Sequence, residues 1–179
     1  MAKKAKSLNK LISFVGAILA VVAVVMIFLP QIASVNGDTT YNGITIAFGK
    51  SEKAGIGDFI KGETKINFSF FNFAAYLLVI VGLVITALQM AGMAKGKLLT
   101  IIAAAALIAG GVIFFLALST TTITSSGSIA GFGTSSTVKF ADFNGESTKV
   151  WQLGFGAIVG GITAILSGVC ALGNVVLSK

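Results

Sequence analysis

The sequence has no histidine and no arginine, a single cysteine (Cys170), a single proline (Pro30) and few charges, 11% of all residues. Without histidine there is no imidazole base and no side chain that ordinarily titrates near neutrality. One cysteine cannot close an intramolecular disulfide, and with no histidine beside it the chain cannot build a Cys/His metal cluster. The low charge excludes more, because soluble domains carry about 25% charged residues. No nucleophile–base pair stands out. The chain is therefore expected to be no enzyme and to hold no cofactor and no metal.

What is present is apolar. Of the 179 residues, 55% are hydrophobic, and the mean hydropathy is +0.96. Four runs, residues 11–29, 70–93, 98–118 and 153–177, are long enough to cross about 30 Å of hydrocarbon at about 1.5 Å per residue. Pro30 is expected to end the first helix, since it cannot continue one. Ala94-Lys95-Gly96-Lys97 joins the second run to the third as a tight turn, which makes them antiparallel neighbours. The lysines ahead of the first run would also suit a signal peptide. That run, however, exceeds the usual core of roughly 7–15 residues, and Gln31-Ile32-Ala33 is a poor cleavage site. The reading is one membrane domain, 1–179, with loops at 31–67 and 119–150.

Charge gives the crossings a sign. Lys3, Lys4, Lys6, Lys10, Lys95, Lys97 and Lys179 flank the runs on one side with no acidic residue among them. The other six lysines share the two long loops with all six acids, so those loops sum to zero and the net +7 belongs to one side. By the positive-inside rule the termini are cytoplasmic and the long loops face outward in a multi-pass cell-membrane protein. The basic side is expected to attract anionic lipid. Nucleic acid is not an expected partner, because no arginine or stacking platform accompanies the charge.

The outer loops carry strand signals. Ile44, Ile46 and Phe48 alternate with smaller residues, Lys65 to Phe70 alternates again, and Thr120 to Ser126 and Val138 to Phe140 are β-prone. One small sheet over the helices is expected. Sliding the chain by 84 residues aligns 40–65 with 124–149 without a gap, and nine of 26 positions are identical, among them Phe48/Phe132, Asp58/Asp142 and Phe59/Phe143. The chain reads as a tandem parallel repeat, about 10–93 and 97–177, each copy a helix–loop–helix unit. The fold expectation is an all-α membrane protein: a four-transmembrane-helix bundle with a small extracellular β-rich cap and 2+2 repeat symmetry.

Two sets of residues stand out. Gly156, Gly160, Ala164 and Gly168 recur every four residues on the last span, and Ala106 with Gly110 offers a small face on the third. Such faces let helix backbones approach closely where no hydrophobic force drives association. In the loops, Phe48, Asp58, Phe59, Glu63, Phe132, Asp142, Phe143 and Glu146 are candidate contacts. The four carboxylates could converge on Ca²⁺; the plainer expectation is turns at Lys61-Gly62 and Asn144-Gly145 with the acids solvated. Asn72, Tyr76, Thr86, Gln89, Thr100, Thr163 and Asn174 are polar residues in or at the ends of the spans, and Asn72 and Tyr76 are expected to bond between helices.

Phe68 to Leu83 and Leu153 to Leu172 resemble small, uncharacterised four-span membrane proteins of low-GC Gram-positive bacteria and mollicutes, a resemblance that lends no function. In architecture alone the pattern is also claudin-like; the Trp-Gly-Leu-Trp run and paired cysteines of that family are absent. The expected role is structural or interactive, through outer loops and helix faces, with membrane lipids, another copy of the chain or another membrane protein as partners. The alternative is a small channel or an accessory subunit of a transport complex.

Overall fold

The computed structural model describes residues 2–56, 60–93, 96–129, 132–145 and 148–177. Helix α1 (Ala2–Met26) leads to strands β1 (Pro30–Ser34) and β2 (Thr40–Asn42), a short helix α2 (Gly43–Phe48), and strands β3 (Lys50–Ile56) and β4 (Ile60–Ile66). Helices α3 (Phe70–Met90), α4 (Lys97–Phe115) and α5 (Ala117–Thr120) follow. Then come β5 (Thr122–Ile129), β6 (Phe132–Lys139), a 3₁₀ turn (Phe140–Phe143), β7 (Trp151–Leu153) and α6 (Phe155–Leu177). The all-α expectation is overturned. Seven strands build two antiparallel sheets, one of three strands in the order β2-β1-β7 and one of four in the order β3-β4-β5-β6. The fold is mixed.

Four helices are long and apolar enough to cross a membrane: Leu8–Met26 within α1, α3, α4, and Phe155–Val176 within α6. Their packing is inverted relative to a water-soluble core. Small residues such as Ala20, Ala23, Ala103, Ala104, Ala157 and Ala164 are buried, while Leu11, Ile18, Val84, Ile101, Ile162 and Val169 face outward. Outward-facing large aliphatics on all four helices suit hydrocarbon as the solvent. Helix α6 packs along both α1 and α4, α4 also packs along α3, and α1 and α3 close the ring with the loosest of these four seams.

Both long connections leave the helices at one end, the sheet end; Lys10 and Lys97 mark the other, the lysine end. The three-stranded sheet closes the seam between α1 and α6. Ile32 pairs with Leu153 and Ser34 with Trp151, and Ile32 is fully buried. Beside it the Tyr41 and Trp151 rings each meet Phe140 edge-on, with Phe140 and Trp151 centroids 4.9 Å apart, and lie tilted against one another.

Helix α1 ends at Met26, short of the proline. The Gln31 side-chain amide reaches back and donates to the Met26 carbonyl at 2.7 Å, satisfying one of the last carbonyls of the helix. Pro30 then opens a strand.

The alternating Ile44-Ile46-Phe48 segment is helical, contrary to the strand reading. Asn42 caps it by accepting from the Thr45 amide at 2.9 Å, and Gly49 terminates it at φ +86°. Its buried residues, Gly43, Ile46 and Ala47, are three and four apart. A five-residue alternation fits either period, and the caps decide. Lys61 and Gly62 lie inside β4, where a turn was expected.

The 84-residue match is kept in one part of the connections, where β3 falls on 134–140 and so largely on β6, and lost in others. At the 84-residue offset, helix α2 falls on 127–132, the end of β5 and start of β6, and β4 falls on 144–150, where the described residues form no strand. Similar residues take different structures because their partners differ. Strand β4 lies between β3 and β5, whereas the segment before β7 is tied down by Asn144, which bonds the Trp151 carbonyl and the Val150 and Trp151 amides.

Candidate interaction site

The small residues singled out on the spans lie inside the bundle. A side-chain carbon at Gly156 would stand 2.7 Å from the Met26 carbonyl oxygen, and one at Gly160 would stand 2.7 Å from the Phe114 ring. Gly168 faces Ile108 and the Ala104 carbonyl, and Ala164 is fully buried. Gly110 packs on Val79 and Ala75 of α3, so the small face of α4 splits. Gly110 meets α3, and its neighbour Gly111 meets Gly161 and Ala164 of α6. Ala106 is buried too.

At the sheet end the two connections are held by a buried polar network. Asn72 donates to the hydroxyls of Ser69 and Thr121, each at 2.8 Å, and Ser69 donates to the Thr120 carbonyl at 2.9 Å. This joins the first turn of α3 to the end of α5. Asn72 thus makes a bond between elements, as its residue type implied. Tyr76 does not: its hydroxyl is buried without a hydrogen-bond partner, and its ring packs on Phe114 with centroids 5.3 Å apart. Gln31, Ser69 and Thr121, all buried polar residues, were missed by sequence reasoning. Their only signal was position, each lying just outside an apolar run.

Above the network stands the four-stranded sheet. Its base is apolar, with Ile66 paired to Ile123, both buried. Asn67 fixes the base further by donating to the hydroxyls of Thr122 and Thr124 at 3.1 and 2.9 Å. Beyond that level the sheet projects. Ser51 to Lys53, Thr64 and Lys65 are exposed, as are Gly133 to Thr137. An arrangement with both faces in solvent gains little from burial and is held by its base and its ladder.

The loop candidates do not converge. Glu63 sits mid-strand in β4, where it accepts from the Ser51 hydroxyl at 2.5 Å. Asp142 caps the 3₁₀ turn by accepting from the Lys139 amide at 3.1 Å. Asp58, Phe59 and Glu146 lie outside the described residues. Among the described residues no three carboxylate, thiol or imidazole side chains gather as metal ligands. Phe48 is exposed with one ring contact, to Phe73 at 5.5 Å; Phe143 is also exposed, and Phe132 opens β6 opposite Ile129.

The sheet's two edges differ in chemistry. Strand β3 carries Lys50, Glu52 and Lys53, with Lys50 and Glu52 paired at 2.6 Å. Strand β6 reads Phe-Gly-Thr-Ser-Ser-Thr-Val-Lys, uncharged until its last residue and without proline. Soluble proteins commonly guard free edges with lysine, proline or a bulge. β3 is guarded in this way and β6 is bare, pairing residue for residue with β5 along its whole length.

No protein-family model, no curated protein and no solved structure matches this chain.

Proposed function

We propose that the chain is a multi-pass membrane protein of interaction type, whose helices anchor a sheet that recruits a protein partner by strand addition at β6. In this reading the lysine end is cytoplasmic, as the one-sided charge requires, and the sheet stands outside the cell membrane. One observation carries it: an eight-residue edge strand, uncharged through Val138, free and exposed from Gly133 to Thr137. Main-chain donors and acceptors along such an edge give affinity, and alternate side chains give specificity. The inward-facing glycines leave the sheet, rather than the helix faces, as the contact surface.

The test is site-specific photocrosslinking on the intact protein in its own membrane. A photoreactive residue at Ser135 is expected to give one discrete product, and the same residue at Glu52 on the guarded edge none. Thr137→Pro, which removes a main-chain donor on the free side of β6 and leaves the bonds to β5 in place, is expected to abolish that product. Equal products from both edges, or none from Ser135, would overturn the reading.

A channel would need a pore between copies, because Ala20, Ala23, Val79, Leu107, Phe114 and Ala164 pack together in the middle of a single bundle. Ion flux in liposomes that scales with protein oligomerisation would favour that alternative.

A further inference from the structure

At the sheet end a groove of about 550 Å³ runs between β2, the free edge of the three-stranded sheet, and the start of β3. The volume falls in the usual range of small-molecule sites, roughly 300–1,000 Å³. Asp38 to Asn42 line it along one side, about 13 Å of chain at the rise of a strand. Lys50 and Glu52 line it from β3, and Phe28 and Pro30 from the turn after α1.

These groups are open to a ligand. Asp38, Thr40, Asn42, Lys50 and Glu52 are all exposed. Asp38 has neither a hydrogen bond nor an ion pair among the described residues. Asn42 uses its side-chain oxygen on the Thr45 amide at 2.9 Å, which leaves its NH₂ group as a donor. The Ser34 amide bonds the Thr39 carbonyl at 2.8 Å, so one residue on, the Thr40 main chain turns away from β1 at the sheet edge. The hydroxyls of Thr40, Tyr41 and Thr45 stand beside these groups.

Charge narrows the choice of ligand. Lys50 is held by Glu52 at 2.6 Å while Asp38 is unpaired, so the groove carries one net negative charge and disfavours phosphates and carboxylates. Two carboxylates, one of them already paired, fall short of the roughly six to eight oxygens that surround Ca²⁺. Wholly apolar lining is confined to Phe28 and Pro30, too little to anchor peptide side chains. A dense row of hydroxyl, amide and carboxylate groups, ending at one exposed ring, matches the hydroxyls and C–H face of a sugar.

We propose that this groove binds an uncharged disaccharide, either free or as the headgroup of a glycolipid. Asp38 accepts from two adjacent hydroxyls of one ring, Asn42 donates to the second ring, and a C–H face of that ring packs on Phe28. Phe28 lies at the sheet end of the first span and is 63% exposed, which places a lipid's acyl chains within reach of the bilayer. The groove adjoins β3, at the opposite edge of the sheet from β6, so its failure would leave the strand-addition reading untouched.

Saturation-transfer difference NMR on the full-length protein in phosphatidylcholine nanodiscs tests it. The neutral probes are maltose, cellobiose and lactose, the acidic probe is cellobiouronic acid, and the peptide probe is an acetylated Thr-Val-Thr-Val. At least one neutral disaccharide is expected to bind saturably at millimolar concentration, and the acid and the peptide are not. Asp38→Ala is expected to weaken that binding about tenfold or more, the loss of charge-assisted contacts. The Asp38 side chain bonds nothing in the protein, so this arm does not depend on folding. A diacylglycerol carrying the bound disaccharide, followed by native mass spectrometry, tells the two sources apart. An adduct that outlasts loss of phosphatidylcholine supports the glycolipid, and binding of the soluble sugar alone supports a free glycan. No binding of any neutral disaccharide would overturn the assignment, as would cellobiouronic acid bound equally well or binding unchanged in Asp38→Ala. The peptide bound in place of the sugars would make the groove a strand-addition edge and overturn it too.

Discussion

Asn72 and Thr121, 49 residues apart in sequence, meet side chain to side chain at 2.8 Å in an interior where both are almost wholly buried. The pair ties the start of α3 to the end of α5, where the two connections enter the bundle. The Thr120 hydroxyl completes it by donating to the Asn72 Oδ1 at 3.3 Å. Removing one member of such a pair leaves the other desolvated and alone, which costs more than the bond itself gained.

Asn72→Leu is therefore expected to destabilise the protein by about 1–3 kcal/mol. The lower end of that range is favoured if the unfolded chain in detergent finds other partners for Thr121. Reversible denaturation in detergent micelles measures it. Asn72→Asp keeps the acceptor toward Thr120 but loses the donor to Thr121 and Ser69, so it should fall at least as far.

Tyr41 gives the sheet end a dependence on alkaline pH. Burial among Phe140 and Trp151 pushes its phenol above the ordinary value near 10, and Glu52 pushes the same way while Lys50 opposes. The folded chain then holds this proton to higher pH than the unfolded chain. The stabilisation is complete below the unfolded value and disappears as pH rises through the folded one. Ultraviolet difference titration should place the Tyr41 transition above that of a free tyrosine, and Glu52→Gln should move it down. Tyr41→Phe should flatten the alkaline arm of the stability profile; an unchanged arm would assign it to other groups.

The base of the projecting sheet can be loosened without touching the helices. Asn67→Ala removes both bonds to Thr122 and Thr124, at a cost of about 1 kcal/mol per bond. Hydrogen exchange should quicken across β4 and β5, while protection in α3, α4 and α6 is unchanged. Global loss of protection would show that the sheet and bundle fold as one cooperative unit.

The spans were legible because their signal is composition over some twenty residues, and competing interactions cannot hide that. The sheets were legible only in part. Thr122 to Ile129 and Phe132 to Lys139 carry β-prone residues between glycines, but β1 is a proline-led five-residue strand defined by pairing with β2 and β7, and β7 is a tripeptide paired with β1 alone. Gly43–Phe48 misled because a short alternation carries two periods, and the deciding information sat in Asn42 and Gly49 outside it. The 84-residue self-match carries β3 onto β6 but does not carry α2 or β4 onto elements of their own kind. Shared turn residues do not dictate a shared fold when one segment pairs with two strands and the other is clamped by Asn144.

The small-residue stripe was legible as a packing face, and its partners supply the sharpest prediction. A side-chain carbon at Gly156 would meet two backbone carbonyl oxygens, Met26 at 2.7 Å and Leu29 at 2.9 Å, which cannot rotate aside. At Gly160 the obstacle is the Phe114 ring, at 2.7 Å. Gly173, on the same helix, has nothing within 4 Å. Gly156→Ala should cost the most, beyond about 1–3 kcal/mol for ordinary overpacking, because α1 and α6 must separate. Gly160→Ala should fall within that range, since a ring can tilt. Gly173→Ala should be neutral or slightly stabilising, as alanine is the better helix former by about 1 kcal/mol. Thermal melts of the three variants in one detergent check the order. If Gly156→Ala melted with the parent protein while losing only an oligomeric form, the stripe would be a contact between copies and not the seam of this bundle.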